Sequence, residues 1–176
     1  ADERFVGGEL SRLAEIGADV PFFAAGQVAA WVTGIGETIE SRTIPAAAPR
    51  EVVLIHPPFS LSTAAVFAEL RPHEWDTAGG ADAEAFGTRD AGNDLLAPAR
   101  RLRPELDEIR RLVLSAGVEP RLTGSGPTWF ALLDDPELAD AAAARLRRAA
   151  LRVTRTRLRD EPARIEAIEG RENGEP

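Results

Sequence analysis

Glu51-Val52-Val53-Leu54-Ile55-His56 is a short run, apolar at all but its ends, that stops against Pro57-Pro58. Its length and composition predict a buried strand. Downstream, Ser62 predicts the N-cap of a helix from Thr63 to Leu70, with Val66 and Leu70 on one side and Phe67 beside them. Residues 71–92 are polar and Gly-rich and predict a long loop, pinned by Trp75 and Phe86. Asn93 caps a short helix from Asp94 to Arg101. Pro104 stands at N1 of a longer one, whose Leu106, Ile109, Leu112, Val113 and Ala116 recur at helical spacing until Gly117 ends it. Strands from Val118 to Leu122 and from Thr128 to Leu133 flank the tight loop Thr123-Gly124-Ser125-Gly126-Pro127. Pro136 opens a helix running to about Ala150, with Leu138, Ala142, Leu146 and Ala149 inward. Leu151 to Leu158 alternates apolar with Arg and Thr, as a strand with one exposed face does. From Glu51 the order is β-α-α-α-β-β-α-β. With the extra helices set aside, this is the split β-α-β pattern of a ferredoxin-like α+β domain.

Upstream, Pro45-Ala46-Ala47-Ala48-Pro49 has the composition of a linker. Before it, Gln27 to Val32 and Glu37 to Ile44 predict a hairpin around Gly34-Ile35-Gly36. Arg4 to Ile16 predicts the end of a helix, with Leu10, Leu13 and Ile16 on one face and Gly17 as the C′ residue. Asp19 then stands as a good N-cap for a short helix whose first turn holds Pro21. Such a carboxylate is favoured in its ionised form and is suited to accept a proton from a hydroxyl. A plain cap remains the alternative.

Composition bounds the function. A net charge of −8 argues against a nucleic-acid or anionic-membrane partner. No apolar run approaches the roughly 18 residues of a membrane span, and no signal peptide is visible. Cysteine is absent, which fits a reducing, cytoplasmic setting. Every basic residue other than histidine is Arg, so a Walker-type lysine and a Schiff-base lysine are excluded from these 176 residues. Met is absent too, and Ala1-Asp2-Glu3-Arg4-Phe5 does not read as a first strand, so a piece of a longer protein is expected.

Taken alone, the candidate residues leave choices open. Gly124-Ser125-Gly126 suits either a hairpin loop or backbone N–H groups converging on an anion. Phe67 suits either a core or a stacking surface. Gly34 and Gly36 suit turn geometry or close backbone approach. His56 and His73 have no partners at metal-ligand spacing, so no metal site is assigned.

Several blocks together carry a resemblance. Gly17-Ala18-Asp19-Val20-Pro21-Phe22-Phe23, with Gly26 and Gly34-Ile35-Gly36-Glu37, is followed by His56-Pro57-Pro58-Phe59-Ser60-Leu61-Ser62-Thr63-Ala64-Ala65-Val66-Phe67. Then come Asn93-Asp94-Leu95 and Leu122-Thr123-Gly124-Ser125-Gly126-Pro127-Thr128-Trp129-Phe130. In this order they resemble the GHMP kinase superfamily, from about Leu10 to about Arg157. Within it they resemble the branch that uses ATP to phosphorylate a cytidine-diphosphate-linked methylerythritol on the non-mevalonate isoprenoid route. The resemblance implies that Asp19 is the catalytic base and that Phe67 stacks on the cytosine ring. It implies that Thr63 and Ile35 line the substrate groove, and that Gly124, Ser125 and Gly126 lie beside the ATP phosphates, with Mg²⁺ arriving on the nucleotide. It also implies the end of the family's N-terminal domain over 1–45 and its ferredoxin-like C-terminal domain over 50–158. Residues 159–176 are charged and lack a sustained apolar period, so a mobile tail is expected there. The family's N-terminal lysine and Gly-rich phosphate loop have no counterpart in the sequence. The chain alone is therefore expected to lack activity. Other readings are a kinase of homoserine or mevalonate type, or a non-catalytic ferredoxin-like binding module. Oligomeric state is not legible.

Overall fold

The structure is a computed structural model that describes residues 7–44, 50–74 and 92–162. The expectations placed on Trp75, on Phe86, on the linker 45–49 and on most of the tail lie outside the described residues. The chain divides into two units: Ala1–Ile44 with Arg159–Pro176, and Pro45–Leu158.

In the first unit, helix α1 covers Gly7–Ala14 and helix α2 covers Val20–Ala24. The turn after α1 closes through Ile16 N–H and Gly17 N–H, both donating to Leu13 O. Gly17 is not among the residues with positive φ, so the helix ends without the left-handed C′ glycine expected there. Strands β1 (Ala30–Thr33) and β2 (Thr38–Ser41) pair antiparallel, with Thr33 opposite Thr38 across Gly34–Glu37. The hairpin expected from the pattern is present, with shorter strands. Gly34 and Gly36 sit at φ +70° and +108°, where L side chains are strained. A Cβ on Gly36 would also collide with the carbonyl oxygen of Ala18, so this glycine lets the hairpin turn lie against the residue before Asp19.

In the second unit, β3 (Glu51–His56) is followed by α3 (Thr63–Glu69) and a 3-10 turn (Pro72–Glu74). Helices α4 (Leu96–Leu102) and α5 (Glu105–Ser115), strands β4 (Arg121–Leu122) and β5 (Trp129–Leu133), helix α6 (Pro136–Arg148) and strand β6 (Arg152–Arg157) complete it. The sheet order is β4-β5-β3-β6, with every neighbouring pair antiparallel. That is the ferredoxin-like α+β arrangement. The run Glu51–His56 is apolar because β3 lies between two strands, with Ile55 opposite both Trp129 and Val153. Val53, Ile55, Trp129 and Ala131 pack with Val66, Ala99, Leu106 and Val113 and with Ala139, Ala142, Ala143 and Leu146 in one core.

Caps and breaks set the element ends. Ser62 Oγ accepts from Ala65 N–H at 3.3 Å, and Asp135 Oδ1 accepts from Glu137 N–H at 2.7 Å, opening α3 and α6. Arg145 Nη1 donates to Ala116 O at 3.1 Å at the end of α5. The expected strand from Val118 shrinks to Arg121–Leu122, since Pro120 has no N–H to give a ladder. Leu138 was expected inward but is 60% exposed, because the inner stripe of α6 runs through Ala139, Ala142, Ala143 and Leu146. At the sheet's end Glu51, 3% exposed, pairs with Arg155 and Arg157, each at 2.8 Å.

Candidate functional site

In the second unit the residues singled out by sequence gather at the start of α3 and the loop after β4. Thr63 Oγ1 and Ser125 Oγ share a hydrogen bond of 2.9 Å across 62 positions of chain. The loop is closed from within by Thr123 N–H to Thr128 O at 2.9 Å and Gly126 N–H to Thr123 O at 2.8 Å. Gly124 and Gly126 take φ +48° and +80°. At Gly126 space also counts, since a Cβ would press on Leu122 Cδ1 at 2.9 Å. The hydroxyl pair and the loop N–H groups can donate to an anionic oxygen but bring no positive charge.

Phe67 lies one turn beyond Thr63 on α3. Val66 beside it is buried at the core, while Phe67 is 48% exposed. The ring is therefore not the core residue that a helix following a strand usually carries, and a flat apolar surface is left on the helix that bears Thr63.

Two residues that the sequence reading left out of the site hold it together. Asn93, read as a helix cap, does accept from Leu95 N–H at 2.9 Å, and Leu96 N–H donates to its carbonyl. It also donates from Nδ2 to Leu122 O and Gly124 O at 3.0 and 2.9 Å. Arg101 on α4 grips the far end of α3. Its Nε donates to Glu69 Oε1 at 2.9 Å, its Nη2 donates to Glu69 O at 2.6 Å, and both terminal nitrogens reach the Glu74 carboxylate. These bonds from Arg101 hold the Glu74 carboxyl down at about 2 and push the guanidinium up, further into its charged form. The signal in the sequence for each residue was its type: an amide that opens a block, and an arginine in the cluster with Arg100 and Arg103.

His56, at the end of β3, shares a hydrogen bond of 3.1 Å with Thr154 Oγ1. Burial first, and then the nearby Arg152 charge, push its pKa down, so the imidazole is neutral near pH 7. Among the described residues no three metal-ligating side chains converge.

In the first unit, Asp19 precedes α2 but does not cap it. Its side chain makes no cap hydrogen bond, its φ and ψ are already helical, and it is exposed. Two local causes act: Pro21 at N2 removes one of the two N–H groups an N-cap can bond, and the helical backbone of Asp19 is not the extended geometry a cap takes. The setting expected for Asp19, capped and semi-buried, is thus corrected to an open carboxylate on a turn. Ile35, in the hairpin turn, is 68% exposed, with its N–H donating to Glu37 Oε2 at 2.7 Å.

Comparison with known proteins agrees with this fold. Residues 80–152 match the family described as "GHMP kinases C terminal". The crystal structure of a 4-(cytidine 5'-diphospho)-2C-methyl-D-erythritol kinase superimposes with a TM-score of 0.66 at 31% identity, over 88% of this chain and 57% of that one. A homoserine kinase from Cytophaga hutchinsonii, 18% identical with a TM-score of 0.50, shares the fold. The chain is thus similar to the GHMP kinases and shares the fold of their C-terminal domain. Among them it is similar to 4-diphosphocytidyl-2-C-methyl-D-erythritol kinase. The protein of that name from Delftia acidovorans is 37% identical over 77% of this chain and 48% of its own length. That from Pelotomaculum thermopropionicum is 39% identical over 84% and 55%, and that from Thermus thermophilus is 35% identical over 75% and 49%. The chain thus spans about half the length of the curated relatives it matches.

Proposed function

We propose that this chain forms the C-terminal part of an ATP-dependent kinase that phosphorylates a hydroxyl of 4-diphosphocytidyl-2-C-methyl-D-erythritol. The observation that carries the reading is the Thr63–Ser125 hydrogen bond, with the half-exposed Phe67 ring one turn on. A groove residue and a phosphate-side residue, distant in sequence, share one small cluster beside a stacking surface. The names of the relatives supply the substrate.

In this reading the Phe67 ring face receives the cytosine, and Thr63 and Ile35 line the groove. The open Asp19 carboxylate takes the proton of the substrate hydroxyl as its oxygen bonds to the γ-phosphorus and the bond to ADP breaks. Gly124, Ser125 and Gly126 offer donors near the nucleotide phosphates, and Mg²⁺ comes with the nucleotide as its counter-ion. Residues 1–45 would belong to the family's N-terminal domain and 50–158 to its C-terminal domain. A cytoplasmic setting belongs to the same proposal; among the described residues no helix is long and apolar enough to cross a membrane.

The test is a coupled ADP-release assay with ATP, Mg²⁺ and the cytidine substrate. It is run on the chain alone and on the chain joined to the N-terminal half of the Thermus thermophilus relative. Turnover is expected only from the joined protein, because phosphoryl transfer needs charge stabilisation that this lysine-free, acidic chain does not supply. Turnover by the chain alone would overturn the expected dependence on a second half. A folded joined protein that binds ATP yet does not phosphorylate the substrate would overturn the kinase reading.

A further inference from the structure

The two carbonyls that flank Thr123 both point at one side chain. Asn93 Nδ2 donates to Leu122 O at 3.0 Å and to Gly124 O at 2.9 Å, while its Oδ1 accepts from Leu95 N–H at 2.9 Å. A primary amide has two N–H donors, so both are used and the side chain is fixed at three points. In a trans peptide unit the C=O and the next N–H point in opposite directions. The cis bond in this loop is Gly126–Pro127, and the Gly124–Ser125 unit is trans. With its carbonyl on Asn93, that unit turns the Ser125 N–H away from Asn93. Among the described residues this N–H has no hydrogen-bond partner.

Left to itself, such a peptide would reverse easily. Gly124 is at φ +48° with nothing within 4 Å of where a Cβ would sit, so concerted rotation about the Gly124–Ser125 unit meets little resistance. The reversed unit would present a carbonyl oxygen where the donor had been, and that would repel an anion. The internal bonds of the loop, Thr123 to Thr128 and Gly126 to Thr123, leave this unit free. Thr63 holds only the Ser125 hydroxyl.

We propose that Asn93 is a positioning residue that sets the direction of the Gly124–Ser125 peptide, aiming the Ser125 N–H outward as a donor to a phosphate oxygen. This rests on the kinase reading above, in which the loop meets the phosphates of the nucleotide. Asn93 touches neither substrate nor nucleotide in this account and acts through the loop alone.

The test uses the 176-residue chain, isotopically labelled for amide NMR, with inorganic triphosphate as the probe. Asn93→Asp keeps the size of the side chain and the acceptor for Leu95 N–H but loses both donors. Asn93→Ala loses the donors without adding charge, so the comparison survives if Asn93→Asp does not fold. The unsubstituted chain is expected to show a saturable shift of the Ser125 amide. Both substitutions are expected to weaken triphosphate binding by about tenfold or more, the scale of one hydrogen bond to a charged group. The melting temperature is expected to stay within a few degrees, a separation that a purely structural role would not produce. Equal triphosphate affinity and equal Ser125 shifts in substituted and unsubstituted chains would overturn the role of Asn93. If instead the Ser125 amide moves on substitution but no chain responds to triphosphate, the hold of Asn93 on the peptide stands. The phosphate-facing reading of the loop is then what fails.

Discussion

The two units hold their candidate residues by different means. In Pro45–Leu158, Thr63, Ser125 and the Gly124 carbonyl are tied by side-chain hydrogen bonds to elements that share one continuous core. In the hairpin unit, the described residues that are buried are Ala14, Pro21, Ala29 and Gly36, and Asp19 is placed by its backbone alone. Ile16 stands 75% exposed there, and Phe23 and Val32 are also open. The phosphate role proposed for the Gly124–Gly126 loop needs N–H groups aimed within narrow angles, which a rigid core and fixed side chains allow. The base role proposed for Asp19 needs reach and access, which an open turn backed by the close Gly36–Ala18 approach allows.

The largest expected effect tests the rigidity of the sheet unit. Leu106 on α5 is fully buried, so Leu106→Ala is expected to cost about 3 kcal/mol through lost transfer energy and the cavity left behind. Ile16→Ala in the other unit is expected to cost less than about 0.5 kcal/mol, as at most surface sites. Chemical denaturation of both variants checks the pair. A cost at Ile16 equal to that at Leu106 would erase the contrast between the units.

Next comes Asp19→Asn in the chain joined to an N-terminal half. Fold and substrate affinity are expected to persist while kcat falls by roughly 10²-fold or more, the scale of a general base. Because Asp19 makes no cap bond, the substitution is expected to leave the melting temperature unchanged. A near-normal kcat at saturating substrate would remove Asp19 from the chemistry.

Phe67→Leu stays apolar but removes the ring face. With Phe67 half-exposed, affinity for the cytidine substrate is expected to fall by about 0.5–1.5 kcal/mol, as for a lost aromatic contact, with ATP affinity unchanged. Calorimetry reads both. Unchanged substrate affinity together with lower stability would make Phe67 a packing residue instead.

Much of the sheet unit was legible because a central strand must be apolar. Glu51–His56 announced β3, and the later breaks at Gly117, Pro127 and Pro136 separated the remaining elements in the right order. Periodicity could not say which of two adjacent residues faces in, hence Leu138 outward and Ala139 inward. Nor could it see that Pro120 would shorten β4. The cap reading of Asp19 followed a residue preference, which could not show that its backbone would already be helical and that Pro21 would remove one of the two N–H groups a cap can bond. Asn93 and Arg101 act over 27 to 32 positions of chain, a range that local patterns do not encode.

The smallest effect expected concerns the clamp at the end of α3, and pH is the way to release it. Glu74 ordinarily titrates near 4.5, but in the folded chain the hydrogen bonds from Arg101 hold it at about 2. A carboxyl with a depressed folded pKa binds fewer protons in the folded than in the unfolded state through that window. Its contribution to stability is therefore complete above about 4.5 and is lost as the pH falls toward about 2. Glu74→Gln removes the titration while keeping an acceptor for Arg101. The melting temperature of the unsubstituted chain is thus expected to exceed that of Glu74→Gln near neutrality. The gap should narrow below pH 4.5 and close near 2. Added salt should shrink it throughout, because Arg101 is about a quarter exposed and its ion pairs are screened. Arg101 also donates to the backbone oxygen of Glu69, a bond that does not titrate, so α3 should keep part of its anchor at every pH. Amide exchange along α3 would show this directly. Protection at Phe67 that persists at low pH would mean that the face of α3 with Thr63 and Phe67 does not depend on Glu74. Protection that collapses together with the carboxyl titration would mean that the carboxylate, and not the backbone bond, holds the helix that presents Thr63 and Phe67.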